Sequence, residues 1–269
     1  MSRFADNLSI SSLSVGYARR QVIDGLDLPA IAPGQVVSLI GPNAAGKTTL
    51  LRAIAGLHPA HGSLRLGERE LLSLPLADHA RLVTYMPQSL PQRVALTVLE
   101  AVIGALRASP VDGPMLSEEA LLHRALDVID RVGISALAMS GLDQLSGGQR
   151  QLASLAQALV RSPRVLLLDE PISALDLHYQ LRVMKLVQTL ARESGMMVIM
   201  VLHDLSIAAR WSDRIIVLAE GKVAADGAPA VAITPAVLAD VYRVVGRVEA
   251  EQGGLRIAID DILAARAKA

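Results

Sequence analysis

Five short apolar runs punctuate the chain: VVSLI at 36–40, LVTYM at 82–86, VLLL at 165–168, VIMVL at 198–202 and RIIVL at 214–218. Several are separated by segments with helical spacing. Continuous apolar runs of this length suit strands buried on both faces, so the pattern predicts a parallel sheet covered by helices on either side. The stretch up to about Leu28 alternates loosely instead, with Leu13, Val15 and Tyr17 on one face, and predicts antiparallel strands. Between Val94 and Leu142 the period becomes helical. Leu99, Val102, Ile103 and Leu106 form one stripe, and Leu121, Leu122, Ala125, Leu126 and Ile129 form another. This region reads as a helical insert, with SPVDGP at 109–114 as its turn and Ser117 capping the second helix.

A further helical stripe, Leu152, Leu155, Ala156, Leu159 and Val160, follows LSGGQ at 145–149. Ser146 and Gln149 stand at the spacing of a capping box, in which each side chain satisfies a backbone donor of the first turn. Capping leaves Gly147 and Gly148 unexplained, because a glycine inside a helix costs on the order of 1 kcal/mol against alanine. The pair implies that something approaches this backbone closely.

The chain has 269 residues, 52% of them hydrophobic, enough for a substantial globular core. Lysine plus arginine number 26 and aspartate plus glutamate 26, so no global field draws the protein to nucleic acid or an acidic membrane. Aromatic residues are 2% of the chain, too few for a platform that stacks single-stranded bases. Cysteine is absent, which excludes disulfides, thiolate metal sites and cysteine nucleophiles. No secretory signal is read in MSRFADNLSISSLS. The apolar stretch GMMVIMVL is far shorter than the ~20 residues that span a bilayer as a helix, so membrane association is expected to run through a partner.

GPNAAGKTT follows the first apolar run and precedes a helical pattern through Leu50, Leu51, Ile54 and Ala55. Gly41, Gly46, Lys47 and Thr48 have the spacing of a P-loop, in the strand-to-helix context such a loop requires. Backbone amides and the helix dipole would hold phosphates, Lys47 would reach the terminal ones, and the Thr48 hydroxyl would ligate Mg2+. Pro42, Asn43, Ala44, Ala45 and Thr49 complete the expected ATP-binding loop. VLLLDEP ends a buried strand with two adjacent carboxylates at the sheet edge where ligands sit. Asp169 is expected on the Mg2+ side and Glu170 at the attacking water, since successive strand residues point different ways. Taken alone, the pair has a second and less favoured reading as a helix cap and a surface charge.

The combination of GPNAAGKTT, LSGGQ, VLLLDEP, SALD and a histidine after VIMVL resembles the ATPase subunit of an ATP-binding cassette (ABC) transporter over nearly the whole chain. The resemblance implies an α/β P-loop fold with an N-terminal antiparallel β-subdomain and a helical subdomain insert. It implies a single ATPase domain over 1–269, with the core and β-subdomain at about 1–92 and 146–269 and the helical subdomain at about 93–145. Ser146, Gly147, Gly148 and Gln149 would then contact the γ-phosphate of ATP held by the P-loop of a second copy. Gln88 in MPQS resembles the glutamine that links Mg2+ and water to the membrane partner. His203 resembles the histidine that touches the γ-phosphate, and Asp176 in SALD the aspartate that couples the two sites. Tyr17 sits where the family stacks an aromatic ring on adenine. Alone, Gln88 would be a polar loop residue, His203 a structural histidine, and Asp204 an N-cap.

The implied assembly is a homodimer attached to integral membrane permease subunits on the cytoplasmic face of the inner membrane, fed by a substrate-binding protein. Overall length, GPNAAGKTT, TVLEAVIGAL and ITPAVLADVYRV resemble importers of iron-siderophores, haem or vitamin B12. No long β-rich C-terminal extension is expected, since the chain ends about 40 residues after DGAP. An exporter motor and a soluble scaffold ATPase share the same motifs and stand as alternatives. Two departures from the family pattern are Ala44, where glycine is common, and Ile172, where threonine is.

Overall fold

The computed structural model describes residues 6–17, 20–88, 95–108 and 117–263. The SPVDGP turn and the segment after 263 lie outside them. Strand β1 (Leu8–Tyr17) pairs antiparallel with β2 (Arg20–Ile31), as the alternation predicts. Leu13 and Val15 are buried, but Tyr17 is 45% exposed. A register shift between Val15 and Gly16 breaks the alternation and turns Tyr17 out of the buried face.

Strand β3 (Val36–Ile40) runs into helix α1 (Lys47–Ile54). The chain then returns to the first sheet as β4 (Ala60–Leu66) and β5 (Arg69–Glu70), giving the order β2-β1-β4-β5. Helix α2 (Leu76–Leu82) leads to β6 (Val83–Met86). In the insert, α3 (Val98–Ala108) and α4 (Glu118–Val132) bury Val102, Leu106, Leu121, Ala125 and Ile129. Leu122 and Leu126 stand exposed at the edge of that stripe, a narrower face than the spacing predicts. Ser117 caps α4 by accepting from the Ala120 amide.

The remaining core alternates helix and strand: α5 (Gly147–Leu159), β7 (Val165–Asp169), α6 (Leu177–Ser194), β8 (Met197–Val201), α7 (Leu205–Trp211), β9 (Arg214–Ala219). An antiparallel edge strand, β10 (Lys222–Gly227), completes a six-stranded sheet of order β10-β9-β3-β8-β7-β6, in which the other five are parallel. Short helices α8 (Pro229–Ala232) and α9 (Pro235–Tyr242) precede a separate hairpin of β11 (Val244–Glu251) and β12 (Gly254–Ile262).

Alternation along the central strands divides the core in two. Val37, Leu39, Val165 and Leu167 face the antiparallel sheet and α1. Val36, Ile40, Leu166 and Leu168 face the helical side. The two sheets are also tied by Arg214, which forks onto Asp226 at 2.6 Å from two nitrogens and donates to the Pro29 carbonyl at 3.0 Å. The order β3-β8-β7-β6 has a functional consequence: it lines up, along one carboxyl edge, the loop after β3, His203 after β8, Asp169–Glu170 at the end of β7 and Gln88 after β6.

His79 anchors the far end of α1. It is 2% exposed, with Nε2 2.8 Å from the Ile54 carbonyl and Nδ1 3.2 Å from the Leu71 carbonyl. His79→Phe keeps an aromatic ring but takes the imidazole from the Ile54 carbonyl, whose loss of a partner costs about 1–3 kcal/mol, whereas the Leu71 carbonyl still accepts from the Leu74 amide at 3.1 Å. Denaturant unfolding of this variant is expected to show a loss of that size, and an unchanged midpoint would contradict the role.

Candidate functional site

The loop between β3 and α1 is shaped by close approach. A Cβ at Gly41, whose φ is 142°, would overlap the Leu218 carbonyl on the neighbouring strand, so only glycine fits. Gly46 is the N-cap of α1 and has no side chain to offer, and among the described residues no side chain accepts from the first-turn amides, which leaves them open for an anion. Lys47 is 7% exposed, and its Nζ donates to the Gly41 and Pro42 carbonyls at 2.8 Å each. Burial lowers its pKa, partly opposed by Glu170 and Asp169. This ammonium is a donor held among carbonyls that a phosphate oxygen can replace. Asn43 and Ala44 form the exposed crest of the loop, Pro42 and Thr48 are half-buried, and Ala45 and Thr49 are buried.

Ala44 adopts φ 63°, the left-handed region that disfavours a Cβ. Ala44→Gly relieves about 1–2 kcal/mol of backbone cost and returns about 0.4–1 kcal/mol of it as unfolded-state freedom. A small net stabilisation by chemical denaturation is expected; destabilisation would contradict the strain.

Asp169 is 1% exposed, and both of its oxygens are bonded. The Thr48 hydroxyl donates to Oδ1 at 3.1 Å and the Tyr85 hydroxyl to Oδ2 at 2.9 Å. Burial pushes the Tyr85 pKa up to about 12, so the phenol stays a donor. Glu170 follows with φ 52°, another left-handed residue, at a cost of about 1–3 kcal/mol. Its carboxylate is gripped from two sides: Gln88 Nε2 donates to Oε2 at 2.7 Å, and His203 Nε2 lies 2.5 Å from Oε1. The structure thus brings together the three side chains that the motifs single out from β6, β7 and β8.

At the start of α5 the capping box forms as its spacing predicts. The Gln149 amide donates to Ser146 Oγ at 3.3 Å and the Ser146 amide to Gln149 Oε1 at 2.9 Å. The two glycines separate in meaning. A Cβ at Gly148 would stand 2.8 Å from the Ala174 carbonyl, so the loop after β7 itself requires that glycine. A Cβ at Gly147 would meet only Ala174 Cβ at 4.0 Å, and nothing among the described residues accounts for it. Asp176 caps α6 by accepting from the Tyr179 amide at 3.1 Å. Asp204 caps α7 as read from the sequence, accepting from Ile207 at 2.9 Å. The Tyr17 ring packs against His58 with centroids 4.3 Å apart.

Three site residues escape the motif reading. Gln151, buried on α5, donates from Nε2 to the Glu170 carbonyl at 2.5 Å and accepts from the Ala174 amide at 3.1 Å. It holds Glu170 in its strained conformation and joins the LSGGQ helix to the loop ending in Asp176. The signal is a long polar side chain among the buried positions of α5. Tyr85 is the polar-tipped ring in the run LVTYM. The Tyr242 hydroxyl, from α9, sits at the Gly41 amide, and burial raises its pKa.

A parallel sheet that feeds a glycine loop into an uncapped helix, beside a buried and a gripped carboxylate, defines a P-loop nucleoside triphosphatase. The ABC transporter family model matches residues 26–173. Hemin import ATP-binding protein HmuV of Bordetella avium (strain 197N) is 39% identical over 249 residues, 88% of this chain and 92% of the relative. Petrobactin import ATP-binding protein FpuC of Bacillus anthracis is 37% identical over 228 residues, 82% of this chain and 81% of the relative. The dimeric post-hydrolysis structure of the ATP-binding cassette MJ0796 with ADP and Pi superposes with a TM-score of 0.74 at 27% identity, covering 82% of this chain and 98% of that one. The chain belongs to the ABC transporter family and is its ATP-hydrolysing, nucleotide-binding cassette.

Proposed function

We propose that two copies bind two ATP molecules between them and that hydrolysis powers import through membrane-spanning permease subunits. The observation that carries this reading is the grip on Glu170, both of whose oxygens are engaged beside Lys47, Thr48 and Asp169. Glu170 orients and polarises the water that attacks the γ-phosphate, and its carboxylate takes up the proton as the new P–O bond forms and the bond from the γ-phosphorus to the bridging oxygen breaks, releasing ADP. Gln88 and His203 hold that carboxylate in place. Lys47 and the first-turn amides of α1 take the phosphate charge.

Thr48 Oγ1, the Asp169 carboxylate and the Gln88 amide are hard oxygen donors that suit Mg2+. Among the described residues no cluster of three or more His, Asp or Glu can hold an ion unaided. That fits Mg2+, which binds through one or two carboxylates and substrate phosphates. The ion would supply charge neutralisation between the phosphates.

Gly147 and its neighbours Ser146, Gly148 and Gln149 meet the terminal phosphate of the other copy's ATP, and Asp176 couples the two sites. Tyr17 stacks on adenine. The chain acts as one ATPase domain, with α3 and α4 carrying its closure to the permease. No helix among the described residues is long and apolar enough to cross a membrane, and attachment to the cytoplasmic face runs through the permease. A substrate-binding protein delivers cargo from the far side.

The hemin and petrobactin names of the relatives favour an iron chelate as cargo. Transport by the co-purified permease complex, with haem, a ferric siderophore and cobalamin compared, tests it. ATP-dependent uptake of haem or the siderophore is expected; uptake of none overturns the assignment.

A further inference from the structure

We propose that Tyr85 is the positioning residue for Asp169 and fixes this carboxylate in the orientation that its metal-side role needs. The inference rests on the role of Asp169 given above.

The Tyr85 hydroxyl and Thr48 divide the two oxygens of a carboxylate that is almost fully buried. A buried carboxylate bonded at both oxygens is confined to one orientation, and losing either donor leaves a costly orphan. The two donors differ in origin. Thr48 belongs to the phosphate loop and its helix, the part that receives nucleotide. Tyr85 stands on β6, which pairs with β7 in register, Tyr85 opposite Leu167 and Met86 opposite Leu168. Its hydroxyl therefore comes from the sheet that also carries Asp169 and keeps its place when Thr48 turns to a ligand. Groups that orient a metal-side carboxylate from behind are worth about 10–100-fold in metal affinity.

The test measures equilibrium ATP binding with Mg2+ and with EDTA, in a Glu170→Gln background that prevents turnover, adding Tyr85→Phe. Tyr85→Phe is expected to lose about tenfold of the affinity gained from Mg2+ and to keep metal-free ATP affinity within about twofold. An undiminished Mg2+ gain in Tyr85→Phe overturns the proposal, as does an equal loss with and without metal, which marks Tyr85 as packing alone. A parent protein with no Mg2+ gain would instead defeat the magnesium reading beneath it.

Discussion

Glu170→Gln is expected to bind ATP like the unsubstituted protein and to hydrolyse it roughly 10²–10⁴-fold more slowly. The amide matches the carboxylate in size and can still meet Gln88 and His203, which lie 2.7 and 2.5 Å from the two oxygens. It fits the same left-handed backbone, held by the Gln151 amide on the Glu170 carbonyl. What it lacks is a site for the proton of the attacking water. The substitution therefore separates binding from chemistry, and an ATP-loaded dimer should accumulate on a sizing column. Single-turnover hydrolysis checks the chemical step, and an undiminished rate would remove Glu170 from the role.

The second large effect is expected at Gly147. Gly147→Asp places a carboxylate where the partner's γ-phosphate is proposed to sit, and like charges at such a contact cost several kcal/mol. ATPase activity is expected to fall by at least about 10²-fold. The monomer should not suffer, because a Cβ there meets only Ala174 Cβ at 4.0 Å, and an acidic residue in the first turn suits the helix dipole. Gly148→Ala offers the contrast. Its Cβ would press on the Ala174 carbonyl at 2.8 Å and should destabilise the fold by about 1–3 kcal/mol. Melting temperature and turnover, measured together, distinguish the two positions. If Gly147→Asp kept full activity, the glycine would have no partner to meet.

Much of this molecule is legible from residue pattern because its central strands are buried on both faces and read as unbroken apolar runs. The strand order then places the motif residues along one edge. What escapes is set by tertiary contact. Tyr17 leaves the buried face through a register shift that no alternation encodes. Leu122 and Leu126 fit the helical stripe and still stand exposed, since α4 packs over a narrower face. The hairpin of β11 and β12 is mostly half-buried or exposed and rich in charge, so it lacks the apolar signature of a core strand. Gly148 carries an obligation to the Ala174 carbonyl that only folding creates. Nothing in the structure explains the choice of Ile172.

The central claim is that a nucleotide held by the lysine loop of one copy is closed by the LSGGQ helix start of another. The absence of cysteine makes a direct measurement simple. Asn43 and Gln144 are both exposed, one in the phosphate loop and one just before LSGGQ. Two preparations in the Glu170→Gln background, one with Asn43→Cys and one with Gln144→Cys, are mixed and treated with a short bifunctional thiol crosslinker. Any product that joins the two sites must then link different copies. A covalent heterodimer that forms with ATP and not without it is the predicted result; no heterodimer in saturating ATP, or the same yield with no nucleotide, would contradict the account.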